Sequence, residues 1–371
     1  MRVLLIGKYP PAQGGIATKT HWLVNALVSQ GLVFDIVTAA PPLYRCADFC
    51  PPPHLSSHWS LSDNPMPWFL PEADLTTERL ATAALHACAS HPPDVVEVNY
   101  LAPFGLAALL VARELGVPLL ARHAGSDLAK LLSHHEVAGS LVRVLKAAAV
   151  VATTVDAQKI VAGFGIPAER TVVVSRYVPD PRAFTSCPRH KEDGKVLLVA
   201  GKLNYHWRWK ALDTLMAALE RAREWNVRLV GGGKGDTAFR DFLAERGSSN
   251  RFHFESFQTP DAMPAVIAES DAVWAVRRPE DVPDVANLIW EAAAVGRTCF
   301  VAENQIDHLD LARLGSLGAH LRSVDASDPS SVSDALTECA AAPAPPAIEL
   351  QEIFADYVAE QRALYHRAGE A

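Results

Sequence analysis

The chain begins with MRVLLIGKYPPAQGGIATKTHWLVNALVSQGLVFDIVT (residues 1–38), in which two apolar runs flank an amphipathic segment. Residues 3–6 and 32–38 have the length and composition of buried strands, and residues 16–30 have the apolar spacing of a helix. Gly31 stands where the carboxyl cap of that helix is expected. A strand, a helix and a second strand in this order predict the start of a parallel, doubly wound sheet.

The same alternation resumes at residue 95 and continues to residue 302, with a break before the second half of the chain. Residues 181–194 are rich in proline and charge and lack periodicity, so we place a linker there. The other expected strands are residues 95–98, 118–121, 150–153, 171–175, 195–200, 227–230, 251–254, 272–276 and 298–302. The other expected helices are residues 103–115, 141–148, 212–223, 239–246, 261–269 and 287–295.

A length of 371 residues suits two α/β domains with a cleft between them. The pattern predicts an N-terminal domain of residues 1–180, the linker, a C-terminal domain of residues 195–347 and a last helix within residues 348–371. Residues 41–75 hold many prolines and aromatic residues, and we expect them to form an insert in the first domain.

The composition excludes several classes of protein. Hydrophobic residues make up 49% of the chain and charged residues 20%, as in an ordinary globular enzyme. The net charge of -8 comes mostly from residues after 180, and no basic stripe that could bind nucleic acid occurs. A polybasic amphipathic helix is also missing, so membrane association is expected to be weak or absent. The first apolar run is too short for a signal peptide or a membrane span, which predicts a cytoplasmic protein.

Two motifs of the first domain follow expected strands directly. Gly14-Gly15 lets the backbone approach a ligand, and the helix after it offers free N–H groups to a phosphate or a hydroxyl. The alternative is a plain turn, and the dinucleotide pattern GxGxxG is absent here. His123 follows the strand 118–121 at the sheet edge where ligands bind. In the same segment, Ser126-Asp127 can simply cap the next helix.

The second domain gathers cations near the end of its first strand. Gly201-Lys202 ends that strand, and Arg208 and Lys210 precede the next helix. Because cations oppose the helix dipole at a helix start, this arrangement predicts a bound polyphosphate. Glu291 lies among apolar residues of a later helix, where its carboxylate can accept both hydroxyls of a ribose. The alternative for Glu291 is a surface position on an amphipathic helix.

Together these motifs resemble those of the large family of retaining glycosyltransferases with the GT-B fold, family GT4. The likeness covers essentially the whole chain and includes the glycine pair, RHAGSD, G-K-L with a later K-A-L-D, the glycines 231–233 and N-L-I-W-E-A-A-A-V-G. The resemblance implies two Rossmann-like doubly wound domains with an interdomain cleft and a last helix that crosses back to the first domain. It also implies transfer of a sugar, with retention, from a nucleoside-diphosphate sugar to a hydroxyl of a small-molecule or glycan acceptor. A UDP-sugar is favoured over a GDP-sugar.

The resemblance also carries functional residues onto matching positions. It assigns catalysis to His123, Lys202 and Lys210, the donor site to Gly15, Gly201, Lys202, Arg208, Lys210, Phe257, Asn287, Leu288 and Glu291, and the acceptor site to Gly14, Asn99 and Tyr100. The two lysines then bind the diphosphate, Glu291 binds the ribose, and His123 binds the donor sugar. The backbone near Ser256 and Phe257 holds the base. Arg208 competes with Lys210, because this chain has more residues between the two cations than the family usually has.

The chain departs from the family pattern at two places. Pro283 occupies the position of the family's first glutamate, with Glu280, Asp281 and Asp284 nearby as candidate replacements. The segment Glu303-Asn304-Gln305 replaces a glycine-rich loop, so donor-sugar contacts there are not carried over. No Asp-x-Asp occurs, so neither a metal ion nor another cofactor is expected beside the nucleotide sugar.

Three other functions stay open as alternatives. A sugar-nucleotide epimerase can share the architecture but needs carboxylates poised for proton abstraction, which the cleft segments do not show. A catalytically silent sugar-nucleotide-binding protein, acting as a regulatory or assembly partner, is kept open by the displaced glutamate. A nicotinamide-dependent dehydrogenase is weakened by the missing glycine fingerprint.

Overall fold

The computed structural model of the chain describes residues 1–61, 76–123, 126–129, 132, 134–155, 157–175, 177–185, 194–203, 207–278, 286–306, 309 and 317–371. The chain divides into two compact units, one of Met1–Tyr177 with Ala355–Ala371 and one of Val178–Phe354. Each unit has its own parallel sheet with helices connecting the strands. The predicted α/β class with two Rossmann-like doubly wound domains is therefore confirmed.

The first unit is built on a seven-stranded parallel sheet. Its strands are β1 (Arg2–Ile6), β2 (Val33–Ala39), β3 (Ser57–Leu61), β4 (Val95–Val98), β5 (Leu119–Arg122), β6 (Val150–Thr153) and β7 (Thr171–Val173). They lie in the order β3-β2-β1-β4-β5-β6-β7, so β1 pairs with β2 on one side and with β4 on the other. The winding direction reverses between β1 and β4, and ligands of doubly wound sheets bind beyond the carboxyl ends of strands at such a switch point.

The helices of the first unit cover this sheet with their apolar faces. They are α1 (Gly15–Ser29), α2 (Thr76–Ala87), α3 (Phe104–Leu115), α4 (Ser126–Ala129), α5 (His135–Ala147) and α6 (Gln158–Gly163). Leu80, Val111 and Leu145, from three of these helices, belong to one buried cluster with Ile6 and Val98 of the central strands. Burial of this apolar surface fixes the strand ends that carry the candidate site residues.

The second unit repeats the design with a six-stranded parallel sheet. Its strands are β8 (Lys195–Lys202), β9 (Trp225–Gly232), β10 (Phe252–Glu255), β11 (Ala272–Trp274), β12 (Thr298–Ala302) and β13 (Leu321–Val324). Its helices are α7 (Leu212–Leu219), α8 (Asp236–Glu245), α9 (Met263–Ala268), α10 (Asn287–Ala294), α11 (Glu303–Ile306) and α12 (Pro329–Ala341). The strand order β10-β9-β8-β11-β12-β13 places the switch point between β8 and β11.

Several elements were not predicted, among them β3, β13, α2 and α12. The strand β3, in the segment interpreted as an insert, has the sequence SHWSL and lies at the sheet edge, where it is only half buried. It therefore lacks the apolar run of a central strand. It pairs with β2 over five residues, and the Ser57 hydroxyl also donates to Oδ1 of Asp35 on β2 at 2.8 Å.

The last helix, α13 (Gln351–Gly369), returns to the first unit, to which Ala355–Ala371 belong. The Tyr365 hydroxyl donates to Oε2 of Glu97 at 2.5 Å, and Nε of Arg122 donates to Oε1 of the same carboxylate at 2.6 Å. Arg122 also donates to Oε1 of Gln361 at 2.5 Å. Because Glu97 is only 1% exposed, breaking this network would leave a buried charge unpaired. Among the described residues, none of the helices combines the length and the apolar character needed to cross a membrane.

Candidate active site

The carboxyl ends of β8 and β9 lie unusually close together. Strand β8 extends to Lys202, beyond the predicted end, because it pairs with β9 up to Gly232. Gly201 lies opposite Gly231, where a Cβ atom would come within 2.2 Å of the Gly201 carbonyl oxygen, and Gly231 has φ of 142°. A side chain at residue 231 is therefore excluded, and main chain forms this edge of the sheet, which allows a ligand to approach it closely.

Lys210 reaches back to the end of β8. Its Nζ donates a hydrogen bond to the carbonyl oxygen of Ala200 at 3.0 Å, and a Cβ atom on Gly201 would lie 3.4 Å from that Nζ. The indole of Trp274 donates to the main-chain carbonyl of Lys210 at 2.7 Å, which fixes the turn that carries the lysine. Burial lowers the pKa of the neighbouring Lys202. The structure thus brings both predicted diphosphate ligands to one strand end.

Arg208 lies on the same turn of 3-10 helix, Trp207–Lys210, but has a different environment. Its side chain is exposed, and its guanidinium carbon lies 5.1 Å from the centre of the Trp207 ring. Lys210, in contrast, is 8% exposed and contacts β8 directly. The geometry therefore favours Lys210 over Arg208 for the role at the diphosphate.

Glu291 is buried in α10, the helix that follows β11. The residue is 5% exposed, so the alternative of a surface glutamate is wrong. Asn287 and Leu288 form the first turn of the same helix, which starts at the carboxyl side of the sheet. The candidate replacements for the family's first glutamate, Glu280, Asp281 and Asp284, lie with Pro283 outside the described residues.

Phe257 follows β10 and faces the glycine edge. A Cβ atom on Gly232 would lie 3.9 Å from Cε2 of Phe257 and 3.7 Å from Oδ2 of Asp236, so both side chains border the same glycine. Ser256 is exposed beside them. Asp236 was not predicted, and burial raises the pKa of its carboxyl group. The signal that could have identified it is an acid at a helix start directly after a glycine run, GGGKGD.

In the first unit, Gly14 and Gly15 form the start of α1. Gly14 has φ of 124°, in the region that favours glycine, and its carbonyl oxygen accepts a hydrogen bond from the Thr18 amide at 3.1 Å. The first turn of α1 carries no acidic residue. The start of α1 lies at the carboxyl edge of the sheet. No acidic side chain of the first turn offsets the positive end of the helix dipole there.

Asn99 holds the two loops at the switch point together. It is 5% exposed; its Oδ1 accepts from the Lys8 amide at 2.8 Å, and its Nδ2 donates to the Lys8 carbonyl at 2.9 Å and to the Thr20 hydroxyl at 2.8 Å. The loops touch so closely that a Cβ atom on Gly7 would lie 2.1 Å from Oδ1 of Asn99. The amide of Asn99 is thus used to position Lys8.

Tyr100, the second residue predicted at the acceptor, lies next to this clamp. The Nζ atom of Lys8 lies 3.2 Å from the centre of the Tyr100 ring, in a cation–π contact. Both residues are partly exposed. Sequence reasoning missed Lys8, and the only local signal for it is a cation two residues after the end of the first strand.

His123 is buried at the carboxyl end of β5 and is 7% exposed. Its Nε2 lies 2.7 Å from the hydroxyl oxygen of Thr153, at the end of the adjacent strand β6. Burial lowers the pKa of His123, the charge of Lys19 lowers it further, and the charge of Asp127 acts in the opposite direction. At neutral pH the imidazole is therefore uncharged and can donate one hydrogen bond and accept another.

Asp127 connects this segment to the loop after β4. It is fully buried; its Oδ2 accepts from the Leu101 amide at 3.0 Å and its Oδ1 from the Leu128 amide at 3.1 Å. It therefore does more than cap α4, because Leu101 directly follows Tyr100. Residues 124–125 of the predicted motif lie outside the described residues.

In the part of the chain that the structure describes, no three His, Cys, Asp or Glu side chains form a group that could hold a metal ion. Lys202 and Lys210 place two cationic side chains at the carboxyl end of β8. This arrangement suits an anionic ligand.

Comparison with known proteins supports the family assignment for the first unit. Residues 14–176 match the family model described as a glycosyl transferase 4-like domain. A search of curated protein sequences gives no match. The matched range includes Gly14, Gly15, Asn99, Tyr100 and His123.

Solved structures extend the comparison to both units. HepE from Anabaena, in complex with UDP-glucose, is 14% identical with a TM-score of 0.64, over 99% of this chain and 95% of that one. Sucrose-phosphate synthase from Thermosynechococcus elongatus is 17% identical with a TM-score of 0.62, over 100% and 93%. UDP-GlcNAc 2-epimerase from Methanocaldococcus jannaschii is 13% identical with a TM-score of 0.57, over 92% of each chain. At these identities the likeness shows the fold.

The family model and the shared fold agree with the motifs in the sequence. The family model covers most of the first unit, and the structural likeness covers both sheets. Residues 14–176 therefore match a glycosyl transferase 4-like domain, as the resemblance predicted, and the chain as a whole has the GT-B fold.

Proposed function

We propose that the chain is a glycosyltransferase that moves a sugar from a nucleoside-diphosphate sugar to a hydroxyl of a small-molecule or glycan acceptor. The donor is a UDP-sugar, the anomeric configuration is retained, and no metal ion takes part. The observation that carries the proposal is the placement of Lys202 and Lys210 at the end of β8, beside main chain that only glycine allows. We further propose a cytoplasmic location, no nucleic-acid partner and weak or absent membrane association.

The second unit supplies the donor nucleotide site. Lys202 and Lys210 lie at one strand end, where a bound diphosphate would accept charge-assisted hydrogen bonds from both ammonium groups. The ring of Phe257 at the glycine edge offers a face for the base, and the buried carboxylate of Glu291 is assigned to the ribose hydroxyls. HepE, which has the same fold, is described in complex with UDP-glucose, which supports UDP as the nucleotide.

The chemistry follows from the leaving group. Cleavage of the bond between the sugar C1 and the diphosphate oxygen leaves negative charge on the phosphate, and the two lysines stabilise that charge. The acceptor hydroxyl attacks C1 from the same face and gives its proton to the departing phosphate oxygen, so configuration is retained. The lysines take the place that a divalent cation has in metal-dependent transferases.

The first unit supplies the acceptor and the residue assigned to the donor sugar. His123 is neutral and held by Thr153, so it can hydrogen-bond a sugar hydroxyl without adding charge. The start of α1 at Gly14 and Gly15 offers N–H groups for acceptor or phosphate oxygens. The acceptor itself is assigned to the switch point between β1 and β4, at Tyr100.

A second candidate is a sugar-nucleotide epimerase, which the likeness to UDP-GlcNAc 2-epimerase favours. An epimerase would need an acid–base pair at the sugar. The candidate groups after β5 are the neutral imidazole of His123 and the carboxylate of Asp127, and both oxygens of that carboxylate already accept main-chain hydrogen bonds. These observations support transfer over epimerisation.

The deciding experiment incubates the full chain with UDP-glucose, UDP-GlcNAc and GDP-mannose, each with a panel of hydroxyl acceptors and with EDTA. Proton NMR of the anomeric region then follows the products. We expect UDP release together with a new α-glycoside from an α-linked donor, at an unchanged rate in EDTA. A 2-epimer of the nucleotide sugar would establish the epimerase instead. Binding of a nucleotide sugar in calorimetry, with no product from any donor and acceptor of the panel, would establish a catalytically silent binding protein instead.

A further inference from the structure

The turn that carries Lys210 is followed by a strained residue. Ala211 has φ of 50° and ψ of 34°, in the left-handed region, and directly precedes α7. Among the described residues, it is the only one other than glycine with a positive φ. This conformation is unfavourable for a residue with a Cβ atom, because that atom comes too close to the following carbonyl oxygen. It persists only where surrounding contacts hold the backbone in place.

Strand β11 and the segment after it supply two of these contacts. The indole Nε1 of Trp274 donates to the carbonyl oxygen of Lys210 at 2.7 Å. The main-chain amide of Arg278 donates to the carbonyl oxygen of Trp209 at 2.9 Å. Two successive carbonyl groups of the turn are therefore held from β11, the strand that pairs with β8 at the switch point.

The side chain of Arg278 adds a third contact, to the helix that begins after Ala211. Its Nη2 donates to Oδ1 of Asp213 at 2.8 Å and to the hydroxyl of Thr214 at 3.0 Å. Both partners lie in the first turn of α7. Arg278 thus bonds the chain on both sides of the left-handed residue, once through its amide and twice through its guanidinium.

The other end of the turn is held by packing. Trp207 is 6% exposed, and its ring centre lies 4.9 Å from that of Phe239 and 4.8 Å from that of Phe242, both in α8. With the turn held at both ends, the Nζ atom of Lys210 reaches the carbonyl oxygen of Ala200 at 3.0 Å. The place of this ammonium therefore depends on contacts outside the turn.

We propose that Trp274 and Arg278 are positioning residues for the donor diphosphate, which hold the strained turn so that Lys210 reaches the end of β8. This inference rests on the proposed function and adds two residues to its donor site. Both act through the lysine. Without their hydrogen bonds, Ala211 would relax toward an ordinary conformation, and the fraction of molecules with the ammonium in place would fall. The apparent affinity for a ligand falls with that fraction.

The first test is a double-mutant cycle on UDP affinity, measured by isothermal titration calorimetry on the full chain. Trp274→Phe removes the indole donor and keeps an aromatic ring. We expect UDP to bind about threefold to tenfold more weakly to this variant. In the Lys210→Ala background the same substitution should have little further effect, because it acts through the lysine. A loss of equal size in both backgrounds would overturn the positioning role.

Trp225→Phe is the matched control. Trp225 is also buried, and its indole donates to the carbonyl oxygen of Leu336 at 3.1 Å, but it starts β9, at the amino end of the sheet. Each tryptophan variant loses one indole hydrogen bond and part of a buried ring, so both should melt at a lower temperature. Only Trp274→Phe should also lose UDP affinity.

Asp213→Asn tests the third contact and replaces Trp274→Phe if that variant does not fold. It weakens the bond to Arg278 and keeps the charge of the guanidinium. A positioning role predicts weaker UDP binding. If Arg278 instead bound the diphosphate directly, its release from Asp213 would leave UDP affinity unchanged or raise it, and that result overturns the positioning role of the arginine.

Ala211→Gly tests the part played by backbone strain. Glycine adopts the left-handed conformation without a steric penalty, so the turn needs less support from β11. We expect Ala211→Gly to restore part of the UDP affinity that Trp274→Phe loses. Absence of any recovery would show that the contacts from β11 do not act against this strain.

The outcomes also separate this inference from the proposed function. A parent chain that binds no UDP overturns the proposed function. A parent chain that binds UDP, with the same affinity as Trp274→Phe, overturns only the positioning role.

Discussion

The Nζ atom of Lys210 donates a hydrogen bond to the carbonyl oxygen of Ala200 at 3.0 Å, across a separation of ten residues. This bond holds the ammonium at the end of β8, next to Lys202. Lys202 lies at the same strand end, so two lysines stand where an anionic ligand can accept charge-assisted hydrogen bonds. The position of Lys210 at the end of β8, fixed by its bond to Ala200, is the basis for the predictions about UDP binding.

Replacing either lysine by alanine should weaken UDP binding. We expect Lys202→Ala and Lys210→Ala each to cost about 1.5 to 3 kcal/mol of binding free energy, the range for a hydrogen bond to a charged group. Isothermal titration calorimetry with UDP measures the loss. The control is Lys195→Ala, at the opposite end of the same strand, where Nζ lies 3.5 Å from Asp271. Unchanged affinity in both site variants would remove the diphosphate site from this strand end.

UDP affinity should also depend on pH through Lys202. Burial lowers the pKa of this lysine, so it loses its proton at a lower pH than an exposed lysine does. The charged form binds the diphosphate, and affinity should therefore fall as pH rises through the alkaline range. Lys202→Arg keeps its charge throughout and should show a smaller fall. Because the ligand titrates identically with both proteins, parallel curves for parent and variant would contradict the assignment.

Glu291→Gln separates a ribose ligand from a structural glutamate. The amide has nearly the same shape but accepts fewer hydrogen bonds than the carboxylate, so UDP affinity should fall by about 1.5 to 3 kcal/mol. We expect a much smaller change in the free energy of unfolding, measured by urea denaturation. Glu338→Gln, an exposed position on α12, serves as the control and should change neither quantity. A variant that loses stability and keeps full UDP affinity would show that Glu291 serves the fold alone.

His123→Ala distinguishes donor-sugar chemistry from nucleotide binding. We expect turnover at saturating donor to fall by about tenfold or more while UDP affinity is nearly unchanged, since the lost bond matters in the transition state. The loss of the ring also leaves a cavity and removes the partner that lies 2.7 Å from the Thr153 hydroxyl, so a lower melting temperature is expected too.

Thr153→Val supplies the matched comparison for His123. It removes the hydrogen bond at 2.7 Å but keeps the imidazole in place, and Thr153→Ser restores the hydroxyl. We expect the valine variant to lose stability while retaining more turnover than His123→Ala. A His123→Ala enzyme that is destabilised but keeps its full rate per molecule would show that the residue only packs at the sheet edge.

Local sequence was sufficient to predict both doubly wound sheets. Central strands of a parallel sheet are covered on both faces, so they are buried along their whole length and mostly apolar, as Val95–Val98 and Thr298–Ala302 are. The same reasoning located Gly14, Gly201 and Lys202, because residues after a buried strand must lie at the ligand edge of the sheet. It missed β3, since an edge strand needs no apolar run.

The candidate site depended on contacts that no local pattern contains. The sequence determined that Asn99 and Tyr100 follow a strand, and that Arg208 and Lys210 precede a helix. Only the tertiary structure decided that Asn99 clamps Lys8, a residue 91 positions away, and that Lys210 rather than Arg208 contacts the end of β8. The physical reason is that apolar periodicity reports which face of an element is buried, whereas polar partners are chosen by the approach of strand ends that are distant in the chain.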